Sequence, residues 1–487
     1  MADEELLRAA DEFIASNWED IVSDIAKMIA VPSVVDFDAA TSEHPSGPAA
    51  HEGLKAAVAL AERLGFESVD DAGEIGFADL PGASDTLLAM ICHADVVAPG
   101  IGWTLDPWTM LRKDGFLLGR GVIDDKGPLV IALYAMKFFQ ERGARLPYTL
   151  RMIFGTNEET GCMRDVAYYQ EKYGSPAFLF TPDNTFPVCY GEKGGYRGIL
   201  RSPAFENGTI VDFTTGGSAT NAVPGLAELT LKAHADALPP AEGIVFEAAG
   251  DGLVTLTATG VAGHAAMPEG TVSAIGMLVA YLLEHNLTTA AESTWLRGLD
   301  AVIGHTDGSG VGIACSDEDF GPLTCVAGTI HRVDDHFNVT LDLRYPTTIT
   351  PDEMGAAFAA LAEEFGGSFS GKSVMEPFLM DKKSDIIRVF AEAYHDATGL
   401  DGDPFTSGGA TYAREFPRAV SFGVEDPHDS YPAWVGGMHA ADEGVSEETL
   451  KRALRTYILT ISRLMELDLD RFAAEHPSAA ESAAAAE

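Results

Sequence analysis

Three short apolar runs each end on a side chain that can hold a metal. Thr86–Cys92 leads into His93-Ala94-Asp95, Tyr148–Phe154 leads to Glu158-Glu159, and Ala177–Phe180 leads to Asp183. Between the first two, Gly119-Arg-Gly-Val-Ile-Asp124-Asp125-Lys-Gly127 places two adjacent carboxylates in a glycine-rich turn just before Pro128. Imidazoles and carboxylates together suit divalent first-row metals, zinc in particular, and carboxylates that outnumber histidines suit a site for two ions. Each piece alone is weak. His234-Ala235-Asp236 repeats the first triplet with no partner acids downstream, and acid pairs are ordinary surface in so acidic a chain. Three successive strand ends with a ligand-type residue, plus an acidic glycine turn, are hard to obtain from surface composition.

The elements that must position these groups follow from the pattern. The three runs are short, apolar and β-rich, and read as buried strands of a sheet. Pro128 suits the first turn of a helix running to about Glu141. Helix and strand alternate to about Asp183, which describes a mainly parallel sheet with covering helices. In such a sheet, ligands collect beyond the carboxyl ends of the strands, so the clusters converge. From about Lys193 to Gly371 the texture changes to longer alternating strands, such as 252–258 and 337–343. Helices are few there: one follows Gly270 and one follows Thr350, which caps Pro351. The helical pattern returns from Ser384, so the two ends of the chain close one domain around an inserted one. The expected division is 1–192 with 378–475 as the discontinuous domain, 193–377 as the insertion, and 476–487 as a low-complexity tail.

Composition sets the class. The chain has 487 residues, 46% hydrophobic and 22% charged, enough for a sizeable core in more than one domain. Lys plus Arg number 32 against 74 Asp plus Glu, and the formal charge of −42 argues against nucleic acid or anionic membrane as partners. The acidic excess reads as a solvated surface. Cys92, Cys162, Cys189, Cys315 and Cys325 are odd in number and lack paired spacing, which fits a reducing compartment. The N-terminus is acidic and periodic, a helix rather than a signal peptide, and no apolar run reaches the roughly 18–20 residues of a membrane span. The expected location is the cytoplasm.

Six motifs, in order, carry a resemblance: HADVVAPGIGW, GRGVIDDKGP, NEETG, FTPDNTFPVCYGEKG, GHAAMP and SGGATYAR. They resemble the two-metal peptidase family of aminoacylase, carboxypeptidase G and succinyl-diaminopimelate desuccinylase, and within it the dipeptidase V branch. The resemblance spans about Ala50 to Arg463. It implies an α/β, zinc-peptidase-like catalytic domain with a mainly parallel mixed sheet, plus an inserted α+β lid. The implied activity is hydrolysis of short peptides, chiefly dipeptides with a free N-terminus. A deacylase or desuccinylase using the same metals, and a peptide-binding protein without turnover, are the alternatives.

Position by position, the resemblance gives His93 and Asp183 to one metal, Glu159 and His439 to the other, and Asp124 to both, with a cis peptide bond after Asp124. It gives two divalent ions per chain, zinc foremost, with manganese or cobalt also compatible. Asp95 is expected to hydrogen-bond the ring of His93, and Glu158 to serve as the general base. His264, in Gly263-His264-Ala-Ala-Met-Pro268, matches a donor to the tetrahedral oxyanion. Asn221 and Arg344 match groups that bind the substrate carboxylate, with a strand-end salt bridge as the other reading of Arg344. Gly408, Gly409, Tyr412 and Arg414 would line the cleft from the returning catalytic segment. The family's Asn-Glu pair after its last histidine is Asp442-Glu443 here, and His428, the competitor of His439, reads as a loop residue. Beside the 256 residues from Asp183 to His439, the resemblance implies that dimeric members carry a lid of about half this length, so the expectation is a monomer with a small peptide as substrate.

Overall fold

A computed structural model describes residues 3–217, 219–478 and 481. The chain divides into two compact units: Met1–Tyr190 with Leu379–Phe405 and Ala410–Glu487, and Gly191–Phe378 with Thr406–Gly409. The fold is mixed α/β. Among the described residues, no helix is long and apolar enough to cross a membrane.

The first unit is built on a mixed sheet whose neighbours run Glu67–Asp71, Ile75–Leu80, Tyr148–Gly155, Ser84–His93, Phe178–Thr181, Ala419–Ser421. The last four pair in parallel. Leu88–Cys92, Leu150, Met152–Phe154 and Phe178–Phe180 are all buried, so these strands read as continuous apolar runs rather than alternating ones. Ala419–Ser421 comes from the far end of the chain and completes the parallel set. Helices Asp3–Ile29, Lys126–Glu141 and Glu447–Leu464 pack on one another. Lys126–Glu141 is buried nearly all round, as its uniformly apolar sequence requires.

The second unit holds two four-stranded antiparallel sheets. One runs Thr324–Val333, His336–Tyr345, Gly194–Arg201, Ser368–Met375, the other Ile210–Thr214, Leu226–Lys232, Leu253–Thr259, Ile244–Gly250. Helices Ala274–Glu284 and Pro351–Glu364 lie where the sequence puts them, the second with a capping box between Thr350 and Glu353. A further helix, Ala290–Ile303, was not anticipated, although Thr289 and Glu292 form the same box at its start. Gly408 and Gly409 correct the sequence reading: they group with this unit, not with the returning catalytic segment. The Lys193 N–H donates to the Ser407 carbonyl (2.8 Å), and Arg344 donates to that of Gly408 (2.9 Å). The tail expected at 476–487 lies mostly outside the described residues; within it, Glu481 is ion-paired with the buried Arg418 at 2.8 Å.

Candidate functional site

Five of the six candidate metal-site residues of the first unit, His439 excepted, sit at or just past strand ends or in the turn before a buried helix. His93 closes the strand Ser84–His93, Glu158 and Glu159 follow Tyr148–Gly155, and Asp183 follows Phe178–Thr181. Asp124 ends the glycine turn, and the Asp124–Asp125 peptide bond is cis. Gly127 is obligatory here, because a Cβ would run into the Val122 carbonyl oxygen as the turn closes back on itself. Asp125 stands at the N-cap of Lys126–Glu141 without capping it. Its carboxylate instead accepts the backbone N–H of His93 at 3.1 Å and fixes the end of the neighbouring strand.

Asp124 lies at the centre. One oxygen is 2.9 Å from His93 Nε2, the other 2.9 Å from His439 Nε2. His439 Nε2 is also 3.0 Å from Glu159, and His93 Nε2 is 3.8 Å from Asp183. His93, Asp124 and Glu159 form one group of converging ligand atoms, and His93, Glu158 and Asp183 form another. Burial pushes the Asp124 carboxyl up, but hydrogen bonds from His439 and His93 outweigh it and hold the group well below the usual carboxylate range. Hydrogen bonds to Asp124 and then to Glu159 raise His439 to about 11. Glu158 goes the other way: burial first, then the Asp183 charge, raises it well above the ordinary range.

Six carboxyls, those of Asp95, Asp124, Asp125, Glu158, Glu159 and Asp183, thus face two imidazoles. Like charges crowded in a buried place call for cations, and this oxygen-rich, nitrogen-bearing donor set fits divalent first-row ions.

Asp95 departs from expectation. The His93 ring bonds through Nδ1 to the main-chain carbonyl of Asp95 (2.9 Å), while the carboxylate stands off at 3.7 Å. Its two oxygens accept the backbone N–H groups of Glu158 (3.3 Å) and Glu159 (3.2 Å). The strand end turns the carbonyl toward the imidazole and frees the carboxylate to hold the Glu158-Glu159 turn. Glu159 is steadied again by the Val97 N–H at 3.1 Å.

Tyr412 is a second correction. It is fully buried, its hydroxyl bonds to Asp165, its ring fills the space beside Gly155, and it meets the His93 ring edge-on at 6.4 Å. It backs His93 rather than lining a cleft. Arg414 is half-buried on the same turn, Tyr412–Glu415. His428 is a loop residue, bonded to the Asp401 carbonyl at 2.9 Å.

In the second unit, Asn221 and His264 stand together with 3.5 Å between the Asn221 amide and His264 Nε2. His264 is exposed, and its Nδ1 accepts the Ala266 N–H (3.2 Å), so the proton of the neutral ring sits on Nε2. Arg344 is buried, and its fork grips Asp342 at 2.7 and 3.3 Å. The strand-end salt bridge, one of the two expected readings, is thus present. Sequence reasoning missed Arg120, Asp125 and Glu443 as site residues. All three are buried charges in or beside the quoted motifs, and only their folded partners reveal a role.

Known proteins resemble the chain in sequence and in fold. Residues 89–206 match the sequence profile of peptidase family M20/M25/M40, and residues 249–369 match that of the peptidase dimerisation domain. YtjP of Bacillus subtilis is 29% identical over 461 residues, covering 92% of this chain and 97% of that protein. The Beta-Ala-Xaa dipeptidase of Lactobacillus delbrueckii subsp. lactis is 27% identical over 471 residues, covering 93% and 97%. In fold, the chain is similar to human carnosine dipeptidase 1, with a TM-score of 0.59 at 13% identity over 95% of this chain and 100% of that one. The di-peptidase Dug1p of Saccharomyces cerevisiae gives 0.58 at 13% identity over 96% and 100%. With strand-end ligands, a discontinuous first unit and both profile matches in order, the chain is a hydrolase that is similar to peptidase family M20/M25/M40 over residues 89–206 and to its dimerisation domain over residues 249–369.

Proposed function

We propose that the protein is a two-metal dipeptidase that hydrolyses short peptides with a free N-terminus. One observation carries the reading: Asp124 offers one oxygen beside His93 and the other beside His439 and Glu159, which is what a carboxylate shared by two ions must do. His93 and Asp183 would hold one ion, Glu159 and His439 the other, with zinc foremost and manganese or cobalt compatible. When bound, the ions would acidify water and polarise the scissile carbonyl.

The chain's own groups do the rest. Glu158 is the general base: its buried, raised carboxyl accepts a proton from the attacking water and returns it to the leaving amine. Asp95 keeps Glu158 and Glu159 in place through their backbone N–H groups. His264 supplies an Nε2–H donor for the developing oxyanion, and Asn221 beside it binds the substrate carboxylate. The names of the relatives support the substrate class: one is a Beta-Ala-Xaa dipeptidase. The second unit carries two four-stranded sheets in a single chain, which supports a monomer as the active species. Cys92, Cys162, Cys315 and Cys325, none of them in a disulfide, support a reducing, cytoplasmic setting.

The test is hydrolysis of free dipeptides beside N-acetyl and N-succinyl amino acids, after chelation and after zinc or manganese is restored. Metal-dependent cleavage of free dipeptides is the expected result. Cleavage confined to acylated amino acids would move the activity to a deacylase, and metal uptake without cleavage of anything would leave a binding protein. Light scattering that gives an obligate dimer would remove the monomer.

A further inference from the structure

Within the first unit, Arg120 and Glu443 form an ion pair whose side chains are 1% and 0% exposed, yet neither side chain bonds to a candidate ligand side chain. Oε1 of Glu443 accepts the backbone N–H groups of Gly121 (3.0 Å) and Ile123 (3.1 Å), and the Glu443 carbonyl accepts that of Gly119 (2.9 Å). Those residues make up the turn that ends on Asp124. In the opposite direction, Arg120 donates to the His439 carbonyl at 3.2 Å and to that of Pro99 at 3.4 Å. His439 and Asp442 hold positive φ angles of 62° and 54°, conformations that non-glycine residues keep only where the surroundings impose them. Asp442 is pinned by the N–H and hydroxyl of Thr104, each at 2.8 Å.

A buried pair is weak as a stability device, since apolar side chains of similar size often serve as well. Here its directional bonds run to the main chain beneath Asp124 on one side and beneath His439 on the other. The His93–Asp183 half is fixed by different bonds, those of His93 to Asp125 and to the Asp95 carbonyl. We propose that Arg120 and Glu443 are positioning residues that set the spacing between Asp124 and His439, and so govern the ion held by Glu159 and His439 far more than the ion held by His93 and Asp183. The proposal rests on the two-metal reading above.

The experiment is a zinc titration of the full chain against a chromophoric chelator, with thermal unfolding of the metal-free protein alongside. Wild type is compared with Arg120→Met/Glu443→Leu, which removes both charges at similar volume, and with Glu443→Gln. Wild type should take up two ions. Both variants should fold, keep one ion at wild-type affinity, and hold the other about 10- to 100-fold more weakly. Folded variants that keep both ions at wild-type affinity, or lose both equally, would overturn the positioning role. So would failure of both variants to fold, which would make the pair purely structural. A wild-type chain that binds fewer than two ions fails earlier, at the two-metal reading itself, and takes this proposal with it.

Discussion

In the second unit, Asp342 is buried with Arg344 on one side at 2.7 Å and Arg197 on the other at 3.0 Å. Glu292, buried in the same unit, accepts the N–H groups of Ile210 and Thr289 at 2.8 Å each. Every one of these carboxylates has a cationic or N–H partner. In the first unit, Asp95, Asp124, Asp125 and Glu158 are buried near Asp183 and Glu159; several of them also accept N–H groups, but these six carboxyls share two imidazoles, His93 and His439. The contrast separates two uses of interior charge. Where each charge is matched, it shapes the fold; where acids outnumber their partners, the fold is holding something costly for a purpose.

The contrast can be broken at several points, the largest effect first. Glu158→Gln should lower kcat by about 10²- to 10⁴-fold, the usual contribution of a general base, while metal per chain stays at the wild-type value by elemental analysis. Loss of metal along with activity would make Glu158 a ligand instead.

Arg344→Ala acts on the matched side. It strips Asp342 of its bidentate partner and should cost about 3–5 kcal/mol in denaturant unfolding, the penalty for leaving a buried charge under-compensated. An unchanged midpoint would show that Arg197 alone suffices.

Asp95 tests the unmatched side through pH. Burial, the main cause, pushes its carboxyl up to about 7 against the lowering pull of His93. The folded chain therefore keeps a proton there that the unfolded chain releases near the ordinary value of roughly 4. The stabilisation is complete below that lower value and is lost as pH rises to about 7. In chelator, wild type should lose on the order of 2–4 kcal/mol relative to Asp95→Asn over this range, judged at about 1.4 kcal/mol per pKa unit. A flat difference would mean the carboxyl is already ionised. The smallest effect is expected at His428→Ala, which should leave metal content unchanged where His439→Ala loses one ion.

What the sequence made legible was periodicity and local chemistry. The parallel strands, the glycine turn with its two aspartates, and the caps at Thr350 and Ser384 are all local signals, and all sit where the pattern puts them. Whatever depends on where a side chain points after folding was hidden. Nothing in His-Ala-Asp says that the carbonyl of Asp95 rather than its carboxylate meets the imidazole. Nothing in the Tyr412 motif says that the ring turns inward onto Gly155. Glu443 looked like the end of a variant motif, and its link to Arg120 spans 323 positions. The helix Ala290–Ile303 was within reach, since Thr289 and Glu292 spell its start.

The first unit's discontinuity also orders events during synthesis. His93 and Asp124 leave the ribosome more than 300 residues before His439, and the strand Ala419–Ser421 and helix Glu447–Leu464 come later than the whole second unit. A growing chain therefore carries an open sheet edge until Ala419–Ser421 emerges, and an acid-rich half-site until His439 does. On the two-metal reading, capture of both ions would wait for that closing segment. Metal retention would then report that the segment carrying His439 had been made and folded.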